Sequence, residues 1–382
     1  MNESTRVLAL NFGAATLKYG LFGPDGSTPI VGGTVEAPSN AAAGILAVRR
    51  AFEQHPEPNA IAHRVVHGGP RQSEPVLIDK KVERELERLI PLAPLHNRVA
   101  LDAISAARGL WPGVPQVAVF DTAFHAGMPA RAARYAVPTI WEQAGVRRYG
   151  FHGLSHQHAM EATALHLSRA PTELRIISCH LGSGASICAI DQGRSIDTSM
   201  GLTPLEGLVM ATRCGDLDPG APGFAARALG LTEEEVERGL YHDSGLKAWA
   251  GHGGDLRRIE AAARAGDADA SFALDAYAYR IRKYIGAYAA AMGGCDAITF
   301  AGGIGENSPG VRGRVLTGLG FLGVALDEGT NAVPAFDSEG TAPINAKGGR
   351  VALLVVRARE EWLISRQARA LLASVGRVRR ED

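Results

Sequence analysis

Short apolar runs alternate along the chain with stretches whose apolar residues recur at helical spacing. The apolar runs predict buried strands at 7–10, 61–66, 117–120, 176–179, 187–190, 297–301 and 351–356. The periodic stretches predict helices near 45–52, 82–90, 99–107, 255–292 with a break at Gly266, and 364–375. Alternation of this kind is typical of a layered α/β fold.

Polar residues mark the predicted start of three helices. Asn97 is expected to cap the helix at 99–107, and Ser155 the helix that follows His152. The segment Thr203-Pro204-Leu205-Glu206 has the form of a capping box with proline at the first helical position. It predicts a helix that ends near Arg213.

One strand–turn–strand pattern occurs twice in the chain. The first copy is the strand at 7–10, a turn at 11–16 and a strand that reaches Phe22. The second copy is the strand at 176–179, a turn at 180–186 and the strand at 187–190. The recurrence predicts two copies of one domain plan.

Length and composition restrict the class of protein. A chain of 382 residues suggests two domains at about 150 residues each. Lys plus Arg and Asp plus Glu each number 40, so no basic excess favours nucleic acid. No apolar run approaches the ~18 residues that suggest a membrane span, the first residues lack a secretory pattern, and the four cysteines show no CxxC spacing. We therefore expect a cytoplasmic α/β protein without a nucleic-acid or membrane partner.

Three glycine-rich turns, at 11–18, 180–186 and 302–307, follow predicted strands. Glycine lets backbone N–H groups approach a phosphate closely, but a single turn of this kind equally suits a tight hairpin. None of the three matches a P-loop or a Rossmann GxGxxG. Because two of them occupy corresponding positions in the repeat, together they favour a nucleotide held between the two halves.

Charged residues near the ends of strands are candidates for chemistry. Asp121 follows the strand at 117–120, where open α/β sheets bind ligands, and capping of the next turn is an equal alternative. Arg64 lies in an otherwise apolar strand and needs an anionic partner from the protein or from a ligand. For Arg213, a salt bridge with Asp216 or Asp218 is as consistent with the spacing as an anionic ligand.

His152 and His156 have the HxxxH spacing of some zinc sites. No HExxH is present, and Gly153 would weaken a helix that carried both ligands. The free N–H groups of a helix start beside these histidines make an anion site the favoured interpretation.

Longer strings identify a family. In order from residue 8 to residue 310 the chain contains LALNFGAATLK, HRVVHGG, APLHN, VFDTAFH, YGFHGLSH, ISCHLGSGASICAI, DTSMGLTPLEGLVMATRCGDLDPG and FAGGIGENSP, and REEWLIS follows near the end. With these strings the chain resembles the acetate kinase family, among the actin-like and sugar-kinase-like phosphotransferases.

The resemblance implies two duplicated ribonuclease-H-like domains flanking an active-site cleft. We expect an acyl- and phosphate-binding domain at 1–148 plus 360–382 and a nucleotide-binding domain at 149–359. The implied reaction is reversible transfer of the γ-phosphoryl group of ATP to a short carboxylic acid. It implies Mg²⁺, with Mn²⁺ as a substitute, ATP or ADP as co-substrate, and a homodimer.

The resemblance also implies roles for individual residues. The catalytic group would be Arg64, Asp121, His152 and Arg213, with Arg64 also binding the acyl carboxylate. The acyl pocket would be lined by Val66, Leu95, His96, Phe151 and Pro204, and the metal would be held by Asn11 and Glu360. The nucleotide would contact Lys18, His180, Leu181, Gly182, Ser183, Gly184, Asp255, Leu256, Arg257, Gly303, Ile304, Gly305, Glu306 and Asn307.

The first glycine-rich turn departs from the family pattern. The family has Asn-x-Gly-Ser-Ser-Ser-x-Lys, whereas this chain has Ala14 and Ala15 in place of two serines and keeps one hydroxyl, on Thr16. A lost hydrogen bond to a charged group is worth about 1.5–3 kcal/mol, which predicts weaker MgATP binding.

Acetate is the expected acceptor, with propionate or butyrate as near alternatives. A catalytically weakened nucleotide-binding homologue and a sugar kinase or ATPase of the same fold are the other classes. A carboxylate with a pKa of about 4 is ionised at neutral pH and needs no general base. We therefore predict that Asp121 orients an arginine, a histidine or a metal-bound water rather than abstracting a proton.

Overall fold

The computed structural model of the protein describes residues 5–13, 16–24, 26–36 and 40–381. Within these residues the chain forms two compact units. One contains the residues up to Ala126 together with those from Arg359 onward, and the other is Gly127–Ala358. The domain boundaries expected near residues 148 and 360 stay a prediction.

The elements follow the predicted alternation. The strands are β1 (Val7–Phe12), β2 (Thr16–Phe22), β3 (Val31–Glu36), β4 (Ala60–Val65), β5 (Val76–Leu77), β6 (Gln116–Phe120), β7 (Arg175–Leu181), β8 (Ala185–Asp191), β9 (Arg194–Thr198), β10 (Ala297–Ala301), β11 (Thr341–Pro343) and β12 (Ala352–Val356). The α-helices are α1 (Ala41–Ala51), α2 (Lys80–Arg88), α3 (Pro94–Leu110), α4 (Ala130–Ala133), α5 (Thr139–Gln143), α6 (Gly153–Leu167), α7 (Gly220–Leu229), α8 (Glu233–His242), α9 (Gly245–Ala250), α10 (Leu256–Arg264), α11 (Ala268–Met292), α12 (Gly302–Asn307), α13 (Pro309–Leu316), α14 (Glu328–Ala332) and α15 (Glu360–Glu381).

The first unit is built on a six-stranded sheet with the order β3-β2-β1-β4-β6-β5. Strands β1, β2 and β3 pair antiparallel, β1, β4 and β6 pair parallel, and β5 is antiparallel to β6. Apolar side chains of β1, β2 and β4 pack with those of α1 and α3, including Leu8, Ile45, Phe52 and Trp111. Burial of this apolar surface is the main term that stabilises the unit.

The second unit repeats that plan in a sheet with the order β11-β12-β10-β7-β8-β9. Strands β7, β8 and β9 pair antiparallel, β7, β10 and β12 pair parallel, and β11 is antiparallel to β12. Read from its other edge, this is the arrangement of the first sheet, strand for strand. The predicted α/β class and the duplication are confirmed.

Three helix predictions need correction. Asn97 lies inside α3, which begins earlier, at Pro94. Ser155 does not cap α6, because that helix begins at Gly153 after His152, whose φ is 57°. Residues 203–213 form no helix: Gly207 has a φ of 107°, which a right-handed helix excludes, and the Thr203 hydroxyl accepts from the N–H of Leu205 at 3.3 Å.

Other helix predictions are confirmed. The predicted break near Gly266 separates α10 from α11.

Among the described residues, no helix has both the length and the apolar character that crossing a membrane would require.

Candidate active site

The first unit holds a buried ion pair at the ends of two parallel strands. Arg64 lies near the end of β4, Asp121 directly follows β6, and Nη2 of Arg64 lies 2.7 Å from Oδ2 of Asp121. The two side chains are only 11% and 2% exposed. Burial disfavours the charged guanidinium, but the negative charges of Asp121 and Glu360 outweigh it and raise the pKa of Arg64 above its usual value. The anion that Arg64 requires is thus supplied within its own unit.

Asn11, at the end of β1, joins this pair to the start of α15. Its Oδ1 accepts from Nη1 of Arg64 at 3.4 Å, and its Nδ2 donates to Glu360 Oε2 and Glu361 Oε1, each at 2.8 Å. Lys18 of β2 is the cross-strand partner of Asn11, which puts both side chains on one face of the sheet. Ala14 and Ala15 lie outside the described residues.

The turn that follows Arg64 is held by side chains from α3 and from the segment after β6. The His67 N–H donates to Oδ1 of Asn97 at 3.1 Å, and Nδ2 of Asn97 returns a bond to the His67 carbonyl at 3.0 Å. The Gly68 N–H donates to the hydroxyl of Thr122 at 3.1 Å. Asn97, expected to be a helix cap, therefore fixes this turn, and the buried Val66 directly precedes it.

Two other predicted acyl-pocket residues of this unit lie on α3. His96 is half-buried, and the side chain of Leu95 lies outside the described part of the structure.

Histidines gather in the second unit at the start of α6. The rings of His152 and His180 stack with centroids 4.2 Å apart and planes inclined by 29°. Nδ1 of His152 lies 2.9 Å from the Ser186 hydroxyl, and Nδ1 of His180 lies 2.7 Å from that of Ser155. Serine hydroxyls of β8 and α6 thus orient both rings.

Arg213 lies beside His152, and no acidic partner for it is found in the part of the chain that the structure describes. A methyl group added to Gly184 would be 3.5 Å from Nη1 of Arg213 and 3.6 Å from Nε2 of His152, so both side chains approach the same point. Nη1 donates to the Pro204 carbonyl at 3.0 Å. Among the described ion pairs none involves Arg213, and burial lowers the pKa of its guanidinium below the usual value.

The alternative that paired Arg213 with Asp216 or Asp218 is wrong. Asp216 accepts from the Tyr284 hydroxyl at 2.7 Å and from the Gly207 N–H at 2.9 Å, while Asp218 accepts from the N–H of Gly220 at 2.7 Å.

Arg148 holds the segment that leads to Arg213. Its Nη1 donates to the carbonyls of Thr198, Ser199 and Met200 at 2.9, 3.0 and 3.2 Å. Its Nη2 bonds to Glu206, which also accepts from the hydroxyl of Tyr135. The three carbonyls directly precede the segment 203–213 that the sequence predicted to be helical, and Glu206 lies within it.

The third glycine-rich segment forms the short helix α12. Gly302 has a φ of 78°, and a methyl group there would lie 2.7 Å from the Leu181 carbonyl oxygen and 3.2 Å from Cε1 of His180. Only glycine fits both the conformation and the approach. The start of α12 therefore lies beside the turn at 180–184, and these two predicted nucleotide segments are neighbours.

Some residues predicted to contact a nucleotide already bond within the unit. Oε1 of Glu306 accepts from the N–H groups of Gly302 at 3.1 Å and of Ala358 at 3.0 Å. Asp255 caps α10 and pairs with Arg257 at 2.9 Å, leaving the Arg257 side chain 89% exposed. These contacts position the backbone of the predicted segments.

A fully buried arginine lies behind α12. Arg312 donates through Nη1 to the carbonyls of Gly305 at 2.8 Å and Glu306 at 3.0 Å, and through Nε to Oδ1 of Asn331 at 2.8 Å. Desolvation lowers its pKa to about 10. Its bonds to carbonyl oxygens hold the end of α12 in place.

The Acetokinase family matches residues 40–366 of the chain. The chain belongs to this family.

Relatives in the acetokinase family align over nearly the full length. The chain is 44% identical to an acetate kinase of Streptomyces coelicolor (strain ATCC BAA-471 / A3(2) / M145), with 98% of each chain covered. It resembles the crystal structure of Porphyromonas gingivalis acetate kinase with a TM-score of 0.86 and 37% identity, covering 97% of this chain and 100% of that one. A propionate kinase from Francisella tularensis subsp. tularensis SCHU S4 gives a TM-score of 0.86 at 34% identity, covering 95% of this chain and 98% of that one.

The residues predicted from the family resemblance form two groups. The first unit brings together Asn11, Arg64, Asp121 and Glu360, and the second brings together His152, His180, Gly184 and Arg213. Val66 belongs to the first unit, whereas the buried Phe151 and Pro204 belong to the second.

Sequence reasoning missed several residues that support these groups. Glu361 sits beside Glu360 in the REE string, and this adjacency was a usable signal. The sequence offers no such signal for Arg148, Ser186 or Arg312, because a single arginine or serine belongs to no recognisable motif.

Proposed function

We propose that the protein is an acetate kinase, which reversibly transfers the γ-phosphoryl group of ATP to acetate, giving acetyl phosphate and ADP. Membership of the acetokinase family supports the reaction class. The observation that carries the residue assignment is the half-buried Arg213, next to His152 and without a carboxylate partner among the described residues. A desolvated cation of this kind gains most from an anionic ligand.

The main barrier to this reaction is electrostatic. The acetate carboxylate is ionised at neutral pH and needs no proton removed, but it must approach a phosphoryl group that also carries negative charge. We assign Arg213 and His152 to stabilise the transferring phosphoryl group, because Nη1 of Arg213 and Nε2 of His152 both approach the space at Gly184.

Arg64 is assigned to the acetate carboxylate. Its Nη2 donates to Asp121 at 2.7 Å, whereas its Nη1 makes two longer bonds within the described residues, to the Phe12 carbonyl at 3.3 Å and to Asn11 Oδ1 at 3.4 Å. The second nitrogen therefore has bonding capacity left for a carboxylate. In this proposal Asp121 orients Arg64 and keeps it charged, and it abstracts no proton.

Mg²⁺ is assigned to the start of α15. The carboxylates of Glu360 and Glu361 both lie 2.8 Å from Nδ2 of Asn11, so two hard oxygen donors meet there. The described residues include no group of three or more His, Cys, Asp or Glu arranged for a metal. This fits Mg²⁺, which usually takes one or two carboxylates and completes its shell with water and phosphate oxygens. When bound, the ion would neutralise charge on the phosphates.

The nucleotide is assigned to the second unit. The turn at 180–184 and helix α12 adjoin one another, and α12 is held from behind by Arg312. Asp255, Leu256 and Arg257 begin α10. Lys18 in the first unit is assigned to the phosphates.

Propionate is the second candidate acceptor. A solved structure at 34% identity is that of a propionate kinase. Apolar walls such as those assigned here discriminate a single methylene by only about 10–200-fold, so the preference must be measured.

The test is a hydroxamate assay of acyl phosphate formation with acetate, propionate and butyrate. We expect the highest kcat/KM with acetate and ATP in the presence of Mg²⁺, and a loss of activity in Arg213→Ala. Nucleotide binding without acyl phosphate would contradict the proposal and select the weakened homologue. Sedimentation and cell fractionation test the homodimer and the cytoplasmic location, which we also propose.

A further inference from the structure

One buried hydroxyl joins two histidines in the second unit. The Ser186 Oγ lies 2.9 Å from Nδ1 of His152 and 2.8 Å from Nε2 of His156. The other ring nitrogen of His156, Nδ1, lies 2.9 Å from the Ser178 hydroxyl. The four side chains form a continuous series from Ser178 on β7, through His156 on α6 and Ser186 on β8, to His152.

The series is dry for most of its length. Ser178, His156 and Ser186 are each 0% exposed, and only His152 at its end is half-buried. Both ring nitrogens of His156 have serine partners, so the imidazole ring links the two serines of the series. The HxxxH spacing that suggested a metal therefore places two histidines on a shared hydroxyl instead.

Counting hydrogens restricts the protonation of these groups. A serine hydroxyl has one proton, so Ser186 can donate to only one of its two histidines. If Ser186 donates to Nδ1 of His152, it must accept from Nε2–H of His156, and Nδ1 of His156 must then accept from Ser178. His152 in that arrangement carries its own proton on Nε2, the nitrogen that faces Gly184 and Arg213.

The opposite order of donors and acceptors along the series would be unfavourable for an anionic ligand. If a neutral His152 carried its proton on Nδ1, that N–H would donate to Ser186, and Nε2 would present a lone pair toward the space at Gly184. A lone pair repels a phosphoryl oxygen, whereas an N–H donates to it.

We propose that Ser178, His156 and Ser186 are positioning residues that hold His152 as the Nε2–H tautomer, with its donor directed at the transferring phosphoryl group. This inference rests on the function proposed for His152. It adds a chain of three residues that touch no substrate and act through His152 alone.

The first measurement is a set of serine variants. Ser186→Ala is expected to lower kcat by about 10–100-fold, while the KM values for acetate and MgATP stay within about threefold. Ser178→Ala, one step further away, should lower kcat by less. Ser186→Thr keeps the hydroxyl and should recover most of the activity. Ser195→Ala is the matched control, because Ser195 is a 2% exposed serine in β9 whose hydroxyl contacts Cys188.

A double-mutant cycle separates positioning from general damage to the fold. In a His152→Ala background, Ser186→Ala should change kcat by less than about twofold, because the residue through which it acts is gone. An equal loss in both backgrounds would overturn the inference and make Ser186 a structural residue. Thermal unfolding of each variant shows whether it is folded, and Ser178→Ala serves the cycle if Ser186→Ala does not fold.

The tautomer can be observed directly. In protein with ¹⁵N-labelled histidine rings, the His152 signals are identified by their loss in His152→Ala, and Nε2 should carry the proton. A proton on Nδ1 of neutral His152 would refute the proposal. If His152→Ala kept full activity, the role proposed for His152 would fail; if His152→Ala were inactive and Ser186→Ala normal, only the present inference would fail.

Discussion

The two units share one strand plan, but the key arginine of each has opposite electrostatic surroundings. Arg64 in the first unit is paired with Asp121 and has Glu360 and Glu361 near it, which raises its pKa. Arg213 in the second unit has no acidic partner among the described ion pairs and bonds instead to the Pro204 carbonyl, so burial lowers its pKa.

The difference in charge pairing accords with the ligands proposed above. In the first unit, the carboxylates of Glu360 and Glu361 suit a divalent cation, and Arg64, which Asp121 keeps charged, suits a small carboxylate. A desolvated cation beside two histidines suits a polyanion, because the ligand supplies the missing negative charge. The duplicated sheets thus share one plan, and the proposed chemistry is assigned to side chains at strand ends in the first unit and mainly to side chains in the connecting segments of the second.

The largest expected effect comes from removing Arg213. Arg213→Ala should lower kcat by about 10³-fold, because a cation that stabilises the transferring phosphoryl group is lost. The KM for acetate should stay within about threefold, since the acid is assigned to the other unit. Steady-state kinetics measure both parameters, and Arg238→Ala, which changes an exposed arginine of the same unit, is the control. A raised KM for acetate with normal kcat would show that Arg213 binds acetate, which would contradict the assignment of acetate to the first unit.

Replacing each of the two arginines by methionine should change the free energy of unfolding by different amounts. Arg64→Met strands the buried Asp121 carboxylate and should lower the free energy of unfolding by about 3–5 kcal/mol. Arg213→Met removes a buried charge that lacks a partner, and the free energy should stay within about 1 kcal/mol of the wild type or rise. Urea unfolding without ligands measures both. Equal losses would show that Arg213 has a structural partner after all.

Asp121→Asn sharpens the assignment within the first unit. The neutral amide keeps the shape but loses the charge that holds Arg64, so kcat/KM for acetate should fall by about 10–100-fold. Because no proton is taken by Asp121, the acidic limb of the pH–rate profile, where the rate falls at low pH, should persist in the variant. Disappearance of that limb would identify Asp121 as a general base.

The smallest expected effect concerns the histidine next to Arg64. His63 is buried on β4, donates to Oε1 of Gln116 at 2.7 Å, and desolvation lowers its pKa to about 4. Its folded form therefore binds fewer protons than the unfolded chain between about pH 6.5 and pH 4, and stability is lost as the pH falls through that window. Between pH 7 and pH 5 the loss should be about 2 kcal/mol.

The variant His63→Gln tests this by removing the titration. Its free energy of unfolding should depend less on pH than that of the wild type by the same amount. His55→Gln, which changes an exposed histidine of the same unit, is the control. The same pH dependence in the wild type and in His63→Gln would show that other groups account for it.

Much of the fold could be predicted from the sequence. Apolar strands such as β6 and β10 and the duplicated hairpins are local patterns, since each depends on the spacing of residues close together in the chain. The failures occurred where distant contacts outweighed local preference. The capping signal at Thr203 predicted a helix, but the φ of Gly207 excludes it, and the Glu206 side chain is bonded to the distant Arg148.

The sequence by itself determined which residue types were available for chemistry and the two-domain plan that carries them, because periodicity and motif strings are properties of neighbouring residues. Only the tertiary structure decided that Arg64 is paired with Asp121, that Arg213 has no such partner, and that Ser186 links two histidines. Those outcomes depend on which strand ends lie side by side and which groups lose contact with water. Both depend on packing between residues far apart in the chain, which no local pattern encodes.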